Sequence, residues 1–221
     1  MNPHRYSDAE IAAVYRVIEE RRDMRHFLPT PVAPETLTKI LQAAHHAPSV
    51  GLMQPWRFIR ITDTKTRLSI HQLVDEERIR TAQAIGEYET TARMAEFLRL
   101  KVEGILDSGE LLVVALCDKR EQQVFGRRTM PEMDLASVSC AIQNMWLAAR
   151  AEGLGMGWVS IFDPLKLAQL LNMPKDAKPI AVLCLGHVNS FYKEPMLVET
   201  GWKIAKPLTD MVMENSWDTA K

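Results

Sequence analysis

No apolar run in the chain approaches the roughly 18 residues that would cross a bilayer, and the opening MNPHRYSDAE lacks the apolar centre of a secretory signal. A cytoplasmic location without a membrane span is therefore expected. Net charge is equally scarce. The 27 basic and 28 acidic residues leave a formal charge of −1, so no global field gathers nucleic acid or an anionic membrane, and any basic site must be local. Cysteine is rare too: Cys117, Cys140 and Cys184 are odd in number, far apart and set in apolar stretches. That excludes a disulfide framework or a cysteine zinc site and reads as three buried thiols, while a nucleophile would need an electropositive neighbour that none has in sequence. The pair His45-His46 comes with no H-E-x-x-H or acidic spacing, so no metal site is expected. Repeats, low-complexity segments and linkers are also missing, which leaves a single domain over residues 1–221 with a disordered start at 1–7.

What is present reads as alternating helices and strands. Ser7-Asp8-Ala9-Glu10 has capping-box spacing, and Ile11, Val14, Tyr15 and Ile18 recur at helical intervals, predicting a helix to about residue 21. Pro34 opens a second helix whose apolar face is Leu37, Ile40, Leu41 and Ala44, with Pro48 beyond its end. APSVGLMQPW is then a loop. Residues 57–62 alternate like a strand, and 64–106 read as helical and charge-rich. The unbroken apolar run from Leu111 to Cys117 fits a strand covered on both faces. Residues 134–152 form the clearest helix, closed by Gly153; a short strand at 157–161, a helix capped by Asp163-Pro164 and a long strand at 179–188 follow. The tail from Phe191 has few apolar residues to bury on its own domain and is expected to lie on a partner subunit, with a last short helix after EPMLVETGWKIAKPL. The fold class is α+β, a central mixed sheet flanked by helices.

Three segments carry candidate chemistry. RRDMRHF sets Arg21, Arg22 and Arg25 around Asp23 at a helix end. Cations beside a helix C-terminus contribute about 0.3–1 kcal/mol apiece when exposed, which is the bland account; guanidinium forks that match phosphate oxygens are the functional one. The loop PSVGLMQPW offers the Ser49 hydroxyl, flexible Gly51, the Gln54 amide and the flat Trp56, a mixture suited to a polar planar ligand, although Trp56 equally reads as core. EGLGMGWVSIF, residues 152–162, carries Gly153, Gly155 and Gly157, as a backbone passing close to a ligand would require. Its helix precedes its strand, the reverse of a dinucleotide fingerprint, which disfavours a Rossmann site. Ser160 lies on that strand without a nucleophile elbow.

Taken together, the segments resemble the FMN-binding nitroreductase superfamily from about residue 14 to 217. Within it they are most similar to the branch that consumes its own flavin, through RRDMR, APSVGLMQPW, LKVEGI, GRRTMPEMDL and QNMWLAARAEGLGMGWVSIF. Asp23 discriminates, because ordinary members commonly have serine there. The resemblance implies a homodimer of α+β subunits with FMN at the interface and a C-terminal arm extending onto the partner. It also implies that reduced FMN and O2 yield 5,6-dimethylbenzimidazole, the lower ligand of vitamin B12, and erythrose 4-phosphate. NAD(P)H would then act only indirectly, through a separate flavin reductase. By the same resemblance Arg21, Arg22, Met24 and Arg25 would hold the phosphate and ribityl chain, and Ser49, Gly51 and Gln54 would line the cofactor loop. Asp23 and Ser160 would be the catalytic pair, and Arg93 would belong to a lid over residues 75–105. Where that branch has an arginine in the tail this chain has Ala205, so Lys203 or Lys206 would supply the charge. Two alternatives remain: an NAD(P)H-dependent FMN nitroreductase or quinone reductase that keeps its flavin, and a flavin-binding protein without turnover.

Overall fold

The computed structural model describes residues 3–217. Of the stretch 1–7 expected to be disordered, residues 1 and 2 lie outside the described residues, and Ser7 caps the first helix, α1 (Asp8–Glu20). The capping box closes in both directions: the Ser7 N–H donates to Glu10 Oε2 at 2.9 Å and the Glu10 N–H to Ser7 Oγ at 3.4 Å. Helix α2 (Pro34–His45) starts on its proline and buries Leu37, Ile40 and Ala44. Strand β1 (Trp56–Arg60) leads to the helical pair α3 (Thr64–Tyr88) and α4 (Thr91–Arg99), then to β2 (Glu110–Leu116). The central helix α5 (Met133–Ala151), β3 (Gly155–Val159), α6 (Pro164–Leu170), β4 (Lys178–Gly186) and the single turn α7 (Met196–Glu199) complete the chain. No described helix is long and apolar enough to cross a membrane.

The sheet runs in the order β1-β2-β4-β3, and every neighbouring pair is antiparallel. This corrects the expectation of a mixed sheet: the parallel pairing among the described residues is a single bridge between Asp23 and Met156. The apolar runs in β2 and β4 reflect helices on both faces, a cover that an antiparallel sheet accepts as readily as a parallel one. Leu112, Val114, Leu183 and Leu185 face one core with α2 and α5; Leu111, Val113, Val182 and Cys184 alternate into a second core with Ile70 and Val74 of α3 and Leu167 of α6. Strand β3 begins two residues earlier than expected, at Gly155.

The tail divides. Its first part does not wait for a partner: the Arg22 guanidinium donates to Lys193 O at 2.6 Å, and α7 falls inside the EPMLVETGWKIAKPL segment, ahead of a 3₁₀ turn at Leu208–Asp210. From Ile204 onward the apolar side chains Ile204, Leu208 and Trp217 are exposed. Cys184 is buried as expected, and burial pushes its thiol up to about 12, far from a nucleophile; Cys140, expected to be buried, is exposed instead.

Candidate functional site

The RRDMR segment leaves α1 in extended conformation from Arg21 and lies beside β3, where the Met24 N–H donates to Met156 O at 3.0 Å. Glycine makes this approach possible. A Cβ at position 157 would sit 2.2 Å from Met24 O, and one at 155 would sit 3.0 Å from Met24 Cγ. Gly155 and Gly157 therefore admit the arginine segment, which corrects the expectation that they admit a ligand, while Gly153, with φ +76° and no neighbour within 4 Å of an added Cβ, ends α5. Met24 turns its side chain into the core, 1% exposed, away from the arginines.

Around this seam the polar atoms are tightly assigned. Asp23 Oδ1 accepts from the Trp158 N–H at 2.9 Å, and Oδ2 pairs with Arg25, whose other terminal nitrogen donates to Trp158 O at 3.2 Å. Arg22 donates to Glu19 O and Lys193 O, both at 2.6 Å. Trp146 Nε1 donates to Arg22 O at 3.1 Å and Met156 O at 2.9 Å, while the Arg21 guanidinium lies 4.5 Å over the Trp146 ring. The Tyr192 hydroxyl accepts from the Arg25 N–H at 3.3 Å and lies 2.7 Å from His26 Nδ1, clamping the tail onto the same turn. The two tryptophans and Tyr192 were not singled out in the sequence; their signal was only that Trp146 and Trp158 bracket the glycine motif.

The arginine turn walls a cleft of ≈ 380 Å³, with Trp146, Trp158 and Tyr192 behind it rather than on its lining. Arg21, Arg22, Asp23, Arg25 and Glu19 form its charged side, and Phe97, Leu100, Met196, Leu197 and Trp202 its apolar side. Three guanidiniums face two carboxylates, an excess of one positive charge. The Nε atoms of Arg22 and Arg25 are buried without a hydrogen-bond partner, and the Arg21 guanidinium, stacked on Trp146, donates no hydrogen bond among the described residues. A phosphate monoester is the ligand group that such a donor set fits. Burial raises the Asp23 carboxyl above its ordinary value, against the opposing pull of Arg25, the Trp158 N–H and Arg21.

The other expected residues lie elsewhere. Ser49 and Gln54 are tied to each other, the Gln54 N–H donating to Ser49 Oγ at 3.0 Å, and Gln54 faces a depression with His45 and Arg57. Gly51 sits in the same loop with φ +54°. Trp56 is core, with Nε1 donating to His45 Nδ1 at 3.3 Å. Ser160 is exposed and lines a shallow surface with Ser139, Trp158 and Lys178; it does not line the Asp23 cleft itself, whose wall includes the next residue, Ile161. Arg93 is committed to the tail: its guanidinium is 3.4 Å over the Trp202 ring and donates to Trp202 O at 2.6 Å. Lys206 is exposed and not part of the cleft wall. One chain thus gathers the arginines and Asp23 on the cleft wall but not the Ser49–Gln54 loop or Ser160.

A helix-flanked antiparallel sheet with an arginine-walled cleft defines the class, and the sequence profile of the Nitroreductase family matches residues 18–187; the chain belongs to that family. Over 189 residues it is 38% identical to the 5,6-dimethylbenzimidazole synthase of Rhodospirillum rubrum, covering 85% of this chain and 87% of that one. Its fold resembles the NADPH:FMN oxidoreductase of Vibrio harveyi complexed with NAD+ (TM-score 0.69, 20% identity, 95% of this chain and 80% of that one). It also resembles iodotyrosine deiodinase bound to FMN and 3-iodo-L-tyrosine (TM-score 0.66, 21% identity, 82% and 92%).

Proposed function

We propose that this protein is a 5,6-dimethylbenzimidazole synthase, which takes reduced FMN as substrate and O2 as co-substrate and releases 5,6-dimethylbenzimidazole and erythrose 4-phosphate. The observation that carries the reading is one carboxyl, Asp23, held by Trp158 and Arg25 inside a cleft with unspent guanidinium donors. The similarity to curated synthases over most of the chain supports it. Reduced flavin supplies the electrons that O2 takes up, and the protein supplies orientation and proton transfer. Arg21 and Arg22 would hold the phosphate; Arg25, already paired with Asp23, orients the carboxyl. Burial lets Asp23 keep a proton to higher pH than a free aspartate, which suits it to deliver that proton to the ring.

A homodimer completes the site in this reading. The Ser49–Gln54 loop of one subunit would meet the arginine cleft of the other, Ser160 would approach the ring from the subunit whose Trp158 holds Asp23, and residues 75–105 would close over the site as a lid, with Phe97 and Leu100 already on its wall. A separate cytoplasmic reductase would furnish reduced FMN. Aerobic incubation with reduced FMN should yield dimethylbenzimidazole by mass spectrometry with loss of visible flavin absorbance. Return of intact flavin, or steady NADH-dependent reduction of a nitroaromatic with the flavin spectrum preserved, would overturn the assignment.

A further inference from the structure

The motif GRRTMPEMDL plays no part in the cleft, yet two of its charges, Arg127 and Asp134, are among the most buried of the described residues. Arg127 and Asp134 are each 5% exposed, and Arg127 Nη2 meets Asp134 Oδ2 at 3.0 Å. Arg127 Nε donates to Pro131 O at 3.1 Å and Nη1 to Gln123 O at 3.2 Å, so the guanidinium is spent on the loop between β2 and α5. Arg120 Nε reaches the same Oδ2 at 2.9 Å and its Nη1 donates to Asp176 O at 2.6 Å. Replaced by apolar groups, such a cluster loses little stability, so burial alone does not account for it.

What leans on this loop is the segment from Ser49 to Gln54. The Val50 N–H donates to Ser137 Oγ at 3.0 Å, and that hydroxyl, one turn into α5, donates to Met133 O at 2.6 Å. A Cβ on Gly51 would lie 2.9 Å from Phe125 Cδ1, and one on Gly126 2.5 Å from Val50 Cγ2, so the two loops interlock backbone against side chain. Gly51, Leu52 and Gln54 hold φ of +54°, +52° and +47°. Left-handed backbone at leucine and glutamine is sparsely populated and persists where its surroundings over-determine it.

We propose that Ser137, carried by the Arg120–Arg127–Asp134 cluster, is a positioning residue for the Ser49–Gln54 loop and sets how that loop meets the ring end of a bound flavin. This rests on the reading that the loop contacts flavin, and it separates two parts of the ligand: the arginines read the phosphate, the positioned loop reads the ring.

The test compares FMN with riboflavin, which lacks the phosphate. Ser137→Ala should weaken both ligands alike, by roughly three- to tenfold, and Ser137→Thr should restore them. Arg21→Ala should weaken FMN and spare riboflavin. In ligand-free protein Ser137→Ala should speed amide exchange at Val50 and Gln54, and Asp134→Asn should extend that exchange into residues 120–127. Unchanged riboflavin affinity in folded Ser137→Ala, or unchanged exchange at Val50, overturns the positioning role. If wild type binds neither flavin, or Arg21→Ala fails to distinguish them, it is the site reading that falls, while the exchange measurement still decides the inference.

Discussion

Beside three arginines a carboxylate ordinarily titrates low, since each cation favours its charged form; at Asp23 burial outweighs them and lifts it. The native protein then binds this proton more tightly than the unfolded chain does. That contribution favours the fold in full below about pH 3.9, the unfolded value, and is lost as pH rises through the raised native one. A phosphate bound nearby lifts it further by like-charge repulsion. Product formation that depends on protonated Asp23 should therefore decline with rising pH above the ordinary aspartate range. Asp23→Asn should bind FMN at least as well, because Arg25 is left without its counterion, and form no dimethylbenzimidazole at any pH. A wild-type rate that is flat with pH, or normal synthesis by the variant, would remove the proton-transfer role. RRDMR as a site was readable from its composition. The sign of the shift was not, because it depends on β3 packing against the segment from more than a hundred residues away.

Elements whose signals are local were legible: the Ser7 capping box, Pro34 at the head of α2, Gly153 closing α5 and Asp163 capping α6 all stand where their chemistry put them. Elements whose meaning depends on a neighbour were not. A glycine that admits a ligand and one that admits another backbone read alike, and only the placement of Met24 shows which Gly157 is. The same holds for α4, whose charged sequence gives no hint of what it grips. Arg93 stacks on Trp202, braced by Glu96 at 2.8 Å, and Phe97 lies 6.0 Å from the same indole, so the tail fastens α4 at the cleft mouth. A partly desolvated cation–π contact contributes about 0.5–2 kcal/mol. Trp202→Ala should raise amide exchange across residues 91–99 by roughly two- to thirtyfold, with the sheet unchanged. Exchange in α4 that ignores the substitution would mean that α3 alone holds it.

At the scale of the whole molecule, the two cores are complete within one chain, but two surfaces are not. Helix α1 buries none of its residues, leaving Val14, Tyr15 and Ile18 exposed directly before the arginine turn, and the tail from Ile204 exposes Leu208 and Trp217. Exposed apolar faces of this kind mark association surfaces, and a two-fold dimer would cover both with copies of the same patch. It would also account for why Arg21 and Gln54 line different clefts in one subunit. If each site draws arginines from one chain and the loop from the other, two defective variants should complement. Arg21→Ala and Gln54→Ala homodimers would each be impaired at both sites. A heterodimer would gather both lesions into one site and leave the other intact. Coexpression with random pairing makes half the dimers mixed, so about a quarter of all sites should regain FMN affinity and product formation. Sites built within single chains would always carry one lesion each, and the coexpressed mixture would then show no recovery over the separate variants.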